Sequence, residues 1–316
     1  MTRTAKSIDK TGVHVYNATS GLWEPWNGAL RAGTAELGNV KISDGTETAN
    51  VTANNELNVL DSDIFVEASR GNISNMSTVN KFGEAPSGIQ TTETDIWSRA
   101  NATPTQSVWL APTAARIHTI QSDSASDVAS GVGATTVIVY YLPDWDTAET
   151  TETVTGDLNA GIAMNNAAVM IHRMKVTPQA TSTSANVGTI TATAATDATI
   201  TAVILPGDGQ TEMAIYGVPS TKKAYLKRWS GGIDKTQGAA ATADFIIRLN
   251  PNPDVQTVSF LRKQDFSVQS TGTNYFEKSF ELLPCYDGPC IIKVTAIGSA
   301  ADIDGQADFD LLLVDN

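Results

Sequence analysis

The sequence predicts an all-β protein, and three observations carry that reading. Apolar and polar residues alternate in segment after segment, as in Arg116-Ile117-His118-Thr119-Ile120 and in the closing run Ala307-Asp308-Phe309-Asp310-Leu311. A period of two places alternate side chains on opposite faces of a strand. Clusters of Gly, Pro, Asn and Asp separate these runs, and no amphipathic segment of helical period and useful length stands between them. Only 17% of residues are charged against 41% hydrophobic, so Thr, Ser, Asn and Gly supply most of the polarity, which suits strands with one wet face.

The elements follow in order. Residues 1–30 read as an N-terminal arm, with Val13-His14-Val15-Tyr16 alternating like a short strand and Leu22-Trp23-Glu24-Pro25-Trp26 after a Ser-Gly turn. Two tryptophans flanking a proline suit an arm that docks on something, which makes Val13, Tyr16, Trp23 and Trp26 the candidate attachment residues. The plainer alternative is that the rings cover an edge of the neighbouring small domain. Residues 31–66 read as a small β module. Alternation from Asn39 to Thr52 flanks an Asp44-Gly45 turn, and Glu56-Leu57-Asn58-Val59-Leu60 supplies a third strand. A unit of that size buries little surface alone and should need a neighbour.

Residues 67–96 lose the alternation and gain Gly, Ser, Asn and Pro, so they read as an extended linker. Beyond Ile96-Trp97 strands crowd together: Val108–Leu110, Arg116–Ile120, Thr135–Leu142, Ala168–Val176, Val187–Ala192, Ala198–Ile204, Met213–Tyr216, Lys223–Trp229, Asp244–Leu249, Val255–Leu261, Tyr275–Leu283, Cys290–Ile297 and the closing run. They exceed what one common sandwich holds, so two β-sandwich or jelly-roll-like lobes are expected, at 97–180 and 181–316. The polar stretch Pro178-Gln179-Ala180-Thr181-Ser182-Thr183-Ser184 marks the division.

A net charge of −13 argues against a surface that neutralises nucleic-acid phosphates, so no nucleic-acid partner is expected. Cations such as Arg116, Arg173, Lys175 and Lys227 are scattered among strand-like segments. No run approaches the roughly 20 apolar residues of a membrane helix, and no apolar stretch follows the first positive charges, so synthesis in a cytoplasm without membrane insertion is expected. His14, His118 and His172 stand alone, and no metal or cofactor is expected. Cys285 and Cys290, spaced as Cys-Tyr-Asp-Gly-Pro-Cys, could face each other across a turn and form a disulfide; free thiols are the equal alternative.

Candidate chemistry is thin. No Gly-x-Ser-x-Gly elbow or comparable nucleophile is present, and the chain is expected not to be an enzyme. Asp144-Trp145-Asp146 sets an aromatic ring between two acids, yet a turn capped by Asp side chains explains it more simply. Asp302-Ile303-Asp304-Gly305, with Asp308 and Asp310 following, begins like a calcium loop but has Leu313 where an EF-hand has its bidentate Glu. A site of another type or an acidic turn remains open there.

Six phrases in order carry a resemblance: Lys81-Phe82-Gly83, Ile96-Trp97, Gly131-Val132-Gly133-Ala134-Thr135, Asn186-Val187-Gly188-Thr189-Ile190-Thr191, Gln210-Thr211-Glu212-Met213-Ala214-Ile215-Tyr216-Gly217-Val218-Pro219 and Phe309-Asp310-Leu311. Together they resemble a widespread group of virion structural proteins of tailed bacteriophages, placed variously as head decoration, head fibre or tail component. The resemblance runs from residue 81 to the C-terminus and supplies no catalytic residues. It implies a location at the virion surface, self-association, with a homotrimer favoured, and the major capsid protein or another virion protein as partner. An alternative role is a receptor- or glycan-binding tail fibre, in which Tyr140, Tyr141 and Trp145 would stack on a host surface glycan. A polysaccharide-degrading enzyme is the third reading.

Overall fold

The chain divides into two compact units, Met1–Asp61 and Ser62–Asn316. The structure, a computed structural model, describes residues 64–101, 106–177, 185–234, 240–254, 260–271 and 274–316, together with the backbone of 14–17 and 22–25. In the first unit β1 (His14–Asn17) and β2 (Leu22–Pro25) pair antiparallel. Their register sets Tyr16 opposite Trp23. Val13, Trp26 and the expected three-stranded module from Asn39 to Leu60 lie outside the described residues.

The second unit begins with a short helix, α1 (Ile64–Ser69). The strands that follow are β3 (Met76–Ile89), β4 (Thr94–Asp95), β5 (Arg116–Ser122), β6 (Thr136–Leu142), β7 (Thr150–Thr155), β8 (Ile162–Ala168), β9 (Met170–Val176), β10 (Ile190–Ala194) and β11 (Ile200–Ile204). After them come β12 (Ile215–Val218), β13 (Lys222–Asp234), β14 (Thr242–Asn250), β15 (Leu261–Gln269), β16 (Tyr275–Ser279), β17 (Cys285–Asp287), β18 (Cys290–Gly298) and β19 (Ile303–Asp315). The strand pairs are antiparallel throughout.

These strands build two layered bodies. The first pairs sheet β11-β10-β5-β8 with sheet β7-β6-β9, and the two meet along both flanks, β7 beside β8 and β9 beside β11. One flank is pinned by Glu152 of β7, whose carboxylate accepts from the backbone N–H groups of Asn165 and Asn166 on β8 at 2.6 and 3.2 Å. The second body pairs sheet β12-β18-β14-β15, carrying β4 on β18, with sheet β16-β13-β19-β3, carrying β17 on β13. Aromatic rings fill the space between its sheets. Phe276 of β16 lies 4.6 Å from Trp229 of β13 edge to face and 4.6 Å from Phe266 of β15 in a stack, with Phe245 of β14 at 5.8 Å. Buried residues of both bodies join one hydrophobic core.

Three expectations need correction. Within the presumed linker 67–96, residues 76–89 are strand β3, paired with β19 from Met76 opposite Val314 to Ile89 opposite Ile303. Its alternation is disguised because the inward positions include Lys81 and Gly83, whereas Phe82 points to the other side. The lobe boundary near residue 180 also fails. β5 pairs with β10 across it, so the first body spans Arg116–Ile204 and is inserted between β4 and β12 of the second. Val108–Leu110 forms no strand; Trp109 is instead buried, its indole N–H donating to Thr201 O at 2.8 Å.

One extended thread runs along the seam between the bodies. The N–H groups of Val176 and Thr211 donate to Gly209 O and Met174 O, joining the thread to β9. Farther on, Ser98 N–H donates to Glu212 O and Ala214 N–H to Ile96 O, and β12 then pairs with β18. Gly83 of β3 packs against this point so closely that a Cβ there would fall 2.5 Å from Ile96 O and nearer still to the Ala214 nitrogen. Both obstacles are backbone and cannot swing aside.

A second junction forms around Asp127, which is fully buried. Its carboxylate accepts from Ser122 Oγ at 2.5 Å, Ala134 N at 2.8 Å, and Val187 N and Gly188 N at 2.9 Å each. Burial acts to raise its pKa, but the hydrogen bonds from Ser122, Val187, Gly188 and Ala134 together outweigh it and hold the group below the ordinary carboxylate value.

Replacing Gly83 by Ala is therefore expected to cost about 1–3 kcal/mol of unfolding free energy in denaturant titrations, as overpacking does; an unchanged midpoint would contradict the close approach. For Asp127 the folded-state pKa lies below the unfolded value of about 3.9. Its stabilisation is then complete above that pH and lost as pH falls through the folded value. Asp127→Asn, which turns an amide donor toward N–H and O–H donors, is expected to lose about 2–3 kcal/mol at pH 7. Its stability should fall less than that of the parent on acidification below pH 4.

Candidate functional site

Where β3, β6, β9 and β12 converge on the seam they enclose a cavity of about 230 Å³. Asn80 and Lys81 enter it from β3, Tyr140 from β6, His172 and Arg173 from β9, Glu149 from the turn before β7, and Thr211 and Tyr216 from the thread. Lys81 occupies an inward strand position, and its ammonium donates to the backbone carbonyl of His172. Among the described residues no carboxylate is hydrogen-bonded to it. Burial lowers its pKa to about 7, with Glu149 opposing the shift and Arg173 adding to it.

His172 is held on every side. Gly217 N–H donates to its Nε2 at 3.2 Å, which leaves the proton on Nδ1 to be donated to Glu149. The ring stacks on Tyr216 with centroids 4.1 Å apart. A Cβ at Gly217 would fall 3.0 Å from Met170 and Trp145 and 3.3 Å from Nε2, so a larger residue would crowd the imidazole. With both ring nitrogens engaged, His172 serves as a fixed support. Glu149 is pulled upward in pKa by burial, yet the hydrogen bond to His172, electrostatic attraction to the same ring and the charges of Lys81 and Arg173 leave it below the ordinary value. Burial and the Glu149 charge push the Tyr216 phenol well up. Arg173 donates from Nη2 to Gln210, and its Nε, buried, has no hydrogen-bond partner.

The aromatic residues predicted to meet a glycan are divided by the structure. Tyr140 is half-buried at the cavity, but Tyr141 and Trp145 are 3% and 6% exposed and belong to the core. Asp144 Oδ1 accepts from Asp146 N–H at 2.9 Å, a turn held by its own side chain, while Asp146 accepts from Ser220 Oγ at 2.7 Å. The Asp302–Asp310 run is the start of strand β19 rather than a metal loop. Asp308 and Asp310 both clamp Arg228 of β13, at 2.7 and 2.9 Å, and Asp304 accepts from Ser87. Among the described residues no group of three or more His, Cys, Asp or Glu side chains could hold a metal ion, and no helix is long and apolar enough to cross a membrane.

The two cysteines are free thiols, Cys285 exposed on β17 and Cys290 buried at the start of β18. They sit in different sheets. Sequence reasoning also missed the cavity residues. Lys81, Glu149, His172, Arg173 and Tyr216 come from four separate stretches, and only the insertion of one body into the other brings them together.

No family model matches the chain, and no curated protein does. Among solved structures, the VP2 subviral particle of infectious bursal disease virus aligns over 77% of this chain and 71% of its own, at 10% identity and a TM-score of 0.21. A structure of the Gx strain of the same virus aligns at 9% identity over 76% of this chain and 69% of its own, with a TM-score of 0.17. Scores this low do not establish a common fold.

Burial pushes the Cys290 thiol up to about 12, with Asp287 and Cys285 adding to the shift. An aromatic disulfide reagent at pH 8 is therefore expected to titrate one thiol per native chain promptly and the second only after denaturation. Zero reactive thiols in the native chain, with two appearing on reduction, would show a bridge instead.

Proposed function

We propose that this chain is a non-enzymatic structural protein of a tailed-bacteriophage particle: a capsid decoration or head-fibre protein, trimeric, attached through its N-terminal region. The observation that carries this reading is where the six phrases meet. Lys81-Phe82-Gly83, Ile96-Trp97 and the Gln210–Pro219 phrase pack on one another at the seam, with Phe309 of the last phrase opposite Lys81. The Gly131–Thr135 and Asn186–Thr191 phrases meet around Asp127. These phrases thus lie at packing contacts, which fits a resemblance in architecture rather than in catalytic residues.

The division into two units supports attachment through the N-terminal one. Its β1–β2 hairpin sets Tyr16 and Trp23 in register, two of the four residues expected to dock. The partner would be the major capsid protein or another virion protein, and self-association would supply the burial that a small β unit lacks alone. The glycan-binding fibre reading is weakened by the burial of Tyr141 and Trp145. Synthesis would occur in the host cytoplasm, with the finished protein at the virion surface.

Deleting residues 1–61 tests the attachment. Particles assembled with the truncated chain are expected to lack it, while its second unit melts as in the full chain; normal decoration by the truncated chain would overturn the reading.

A further inference from the structure

The cavity at the seam holds more positive charge than its surroundings satisfy. Lys81 is 8% exposed as a residue, and among the described residues its ammonium is hydrogen-bonded to a backbone carbonyl alone. Arg173 keeps one buried N–H without a partner. The single acid lining the cavity, Glu149, is engaged by His172, which in turn is fixed by Gly217. Two cations therefore border a cavity with one carboxylate, whose hydrogen bond goes to His172.

We propose that this cavity is a binding site for a small oxyanion, a carboxylate or sulfate-type group, received between Lys81 and Arg173. Ammonium and guanidinium N–H groups are the natural partners of such oxygens, and charge-assisted bonds are the stronger kind. The size limits the ligand. Pockets for drug-sized molecules measure roughly 300–1,000 Å³, and about 230 Å³ is room for a single small group or one acidic sugar. Tyr140 and Thr211 border the same space and could contact the body that carries the anion.

Binding should be linked to protonation. Lys81 sits near 7 when the cavity lacks an anion, and a bound negative charge favours its charged form. The other charged or titratable groups facing the cavity are Glu149 before β7, His172 and Arg173 on β9 and Tyr216 on β12. Asp308 and Asp310 on β19 flank Phe309, the residue opposite Lys81, and point to Arg228. Glu84 and Glu212 border a separate cavity. Affinity is therefore highest below pH 7 and declines as pH rises through it.

Calorimetric titration of the full chain with glucuronate, sulfate and glucose tests the site, because neither anion changes charge between pH 6 and 8. At least one of the two anions is expected to bind saturably. Sulfate alone would assign an inorganic or ester sulfate-type group, and glucuronate alone an acidic sugar. Affinity should fall several-fold from pH 6 to pH 8, and Arg173→Gln should weaken binding by about tenfold or more. Lys81→Met should abolish the pH dependence; if that variant does not fold, Arg173→Gln, checked by its thermal melt, carries the test. Absence of binding by both anions, glucose binding as tightly as glucuronate, or a folded Arg173→Gln with unchanged affinity would each overturn the proposal.

Discussion

The backbone of the thread from Gly209 to Val218 is the constraint on which the described body depends. Its hydrogen-bonding groups are divided among β9, the Ile96–Ser98 segment and β18, so it is stitched to the inserted body at one end and to the surrounding body at the other. A buried backbone needs such partners at almost every residue. Gly83 fixes the depth at which β3 can lie across the thread, and Lys81, two residues earlier on the same face, reaches the carbonyl of His172 in the inserted body. One strand and one thread thus hold two sandwiches in a single arrangement.

The same arrangement explains why charge collects where it does. β3 crosses to the inserted body at the position where β9 presents His172 and Arg173, and a lysine in the inward row of a strand has nowhere else to place its ammonium. Burying an ammonium without a direct ion pair is costly. Buried charge elsewhere is treated differently. Lys293 of β18 lies 2.8 Å from Asp95 of β4, and Asp95 also accepts from Trp109 N–H at 2.6 Å. Lys293 is bonded to a carboxylate, whereas Lys81 is bonded to a backbone carbonyl, and that contrast sets the seam cavity apart from an ordinary structural ion pair.

Much of the fold could be read from the chain because its period is plain. β6, β9, β13, β18 and β19 fall where alternation and turn residues put them. What escaped was residue chemistry that runs against the rule. β3 carries Lys81 and Gly83 inward, and β15 is exposed on both faces for most of its length, so neither shows a clean apolar row. β7 is Thr-rich, and β8 carries Asn165 and Asn166, whose side-chain amides donate to Glu152. The insertion of residues 116–204 within the second body left no signal, since pairing between β5 and β10 is a property of space and not of composition. Of the candidate site residues, Tyr16 and Trp23 proved to be cross-strand partners. Tyr141 and Trp145 were drawn into the core by ordinary aromatic burial.

In the proposed virion role the first unit would serve as anchor, and the acidic charge of the chain would keep neighbouring copies apart. The most direct measurement is an electron cryomicroscopy map of the particle with this chain placed in it. A head decoration or head fibre predicts copies arrayed at regular positions on the shell, each touching it through residues 1–61, with residues 62–316 projecting outward. A map without the chain, or one in which residues 62–316 make the contact and the N-terminal unit points to solvent, would contradict the account.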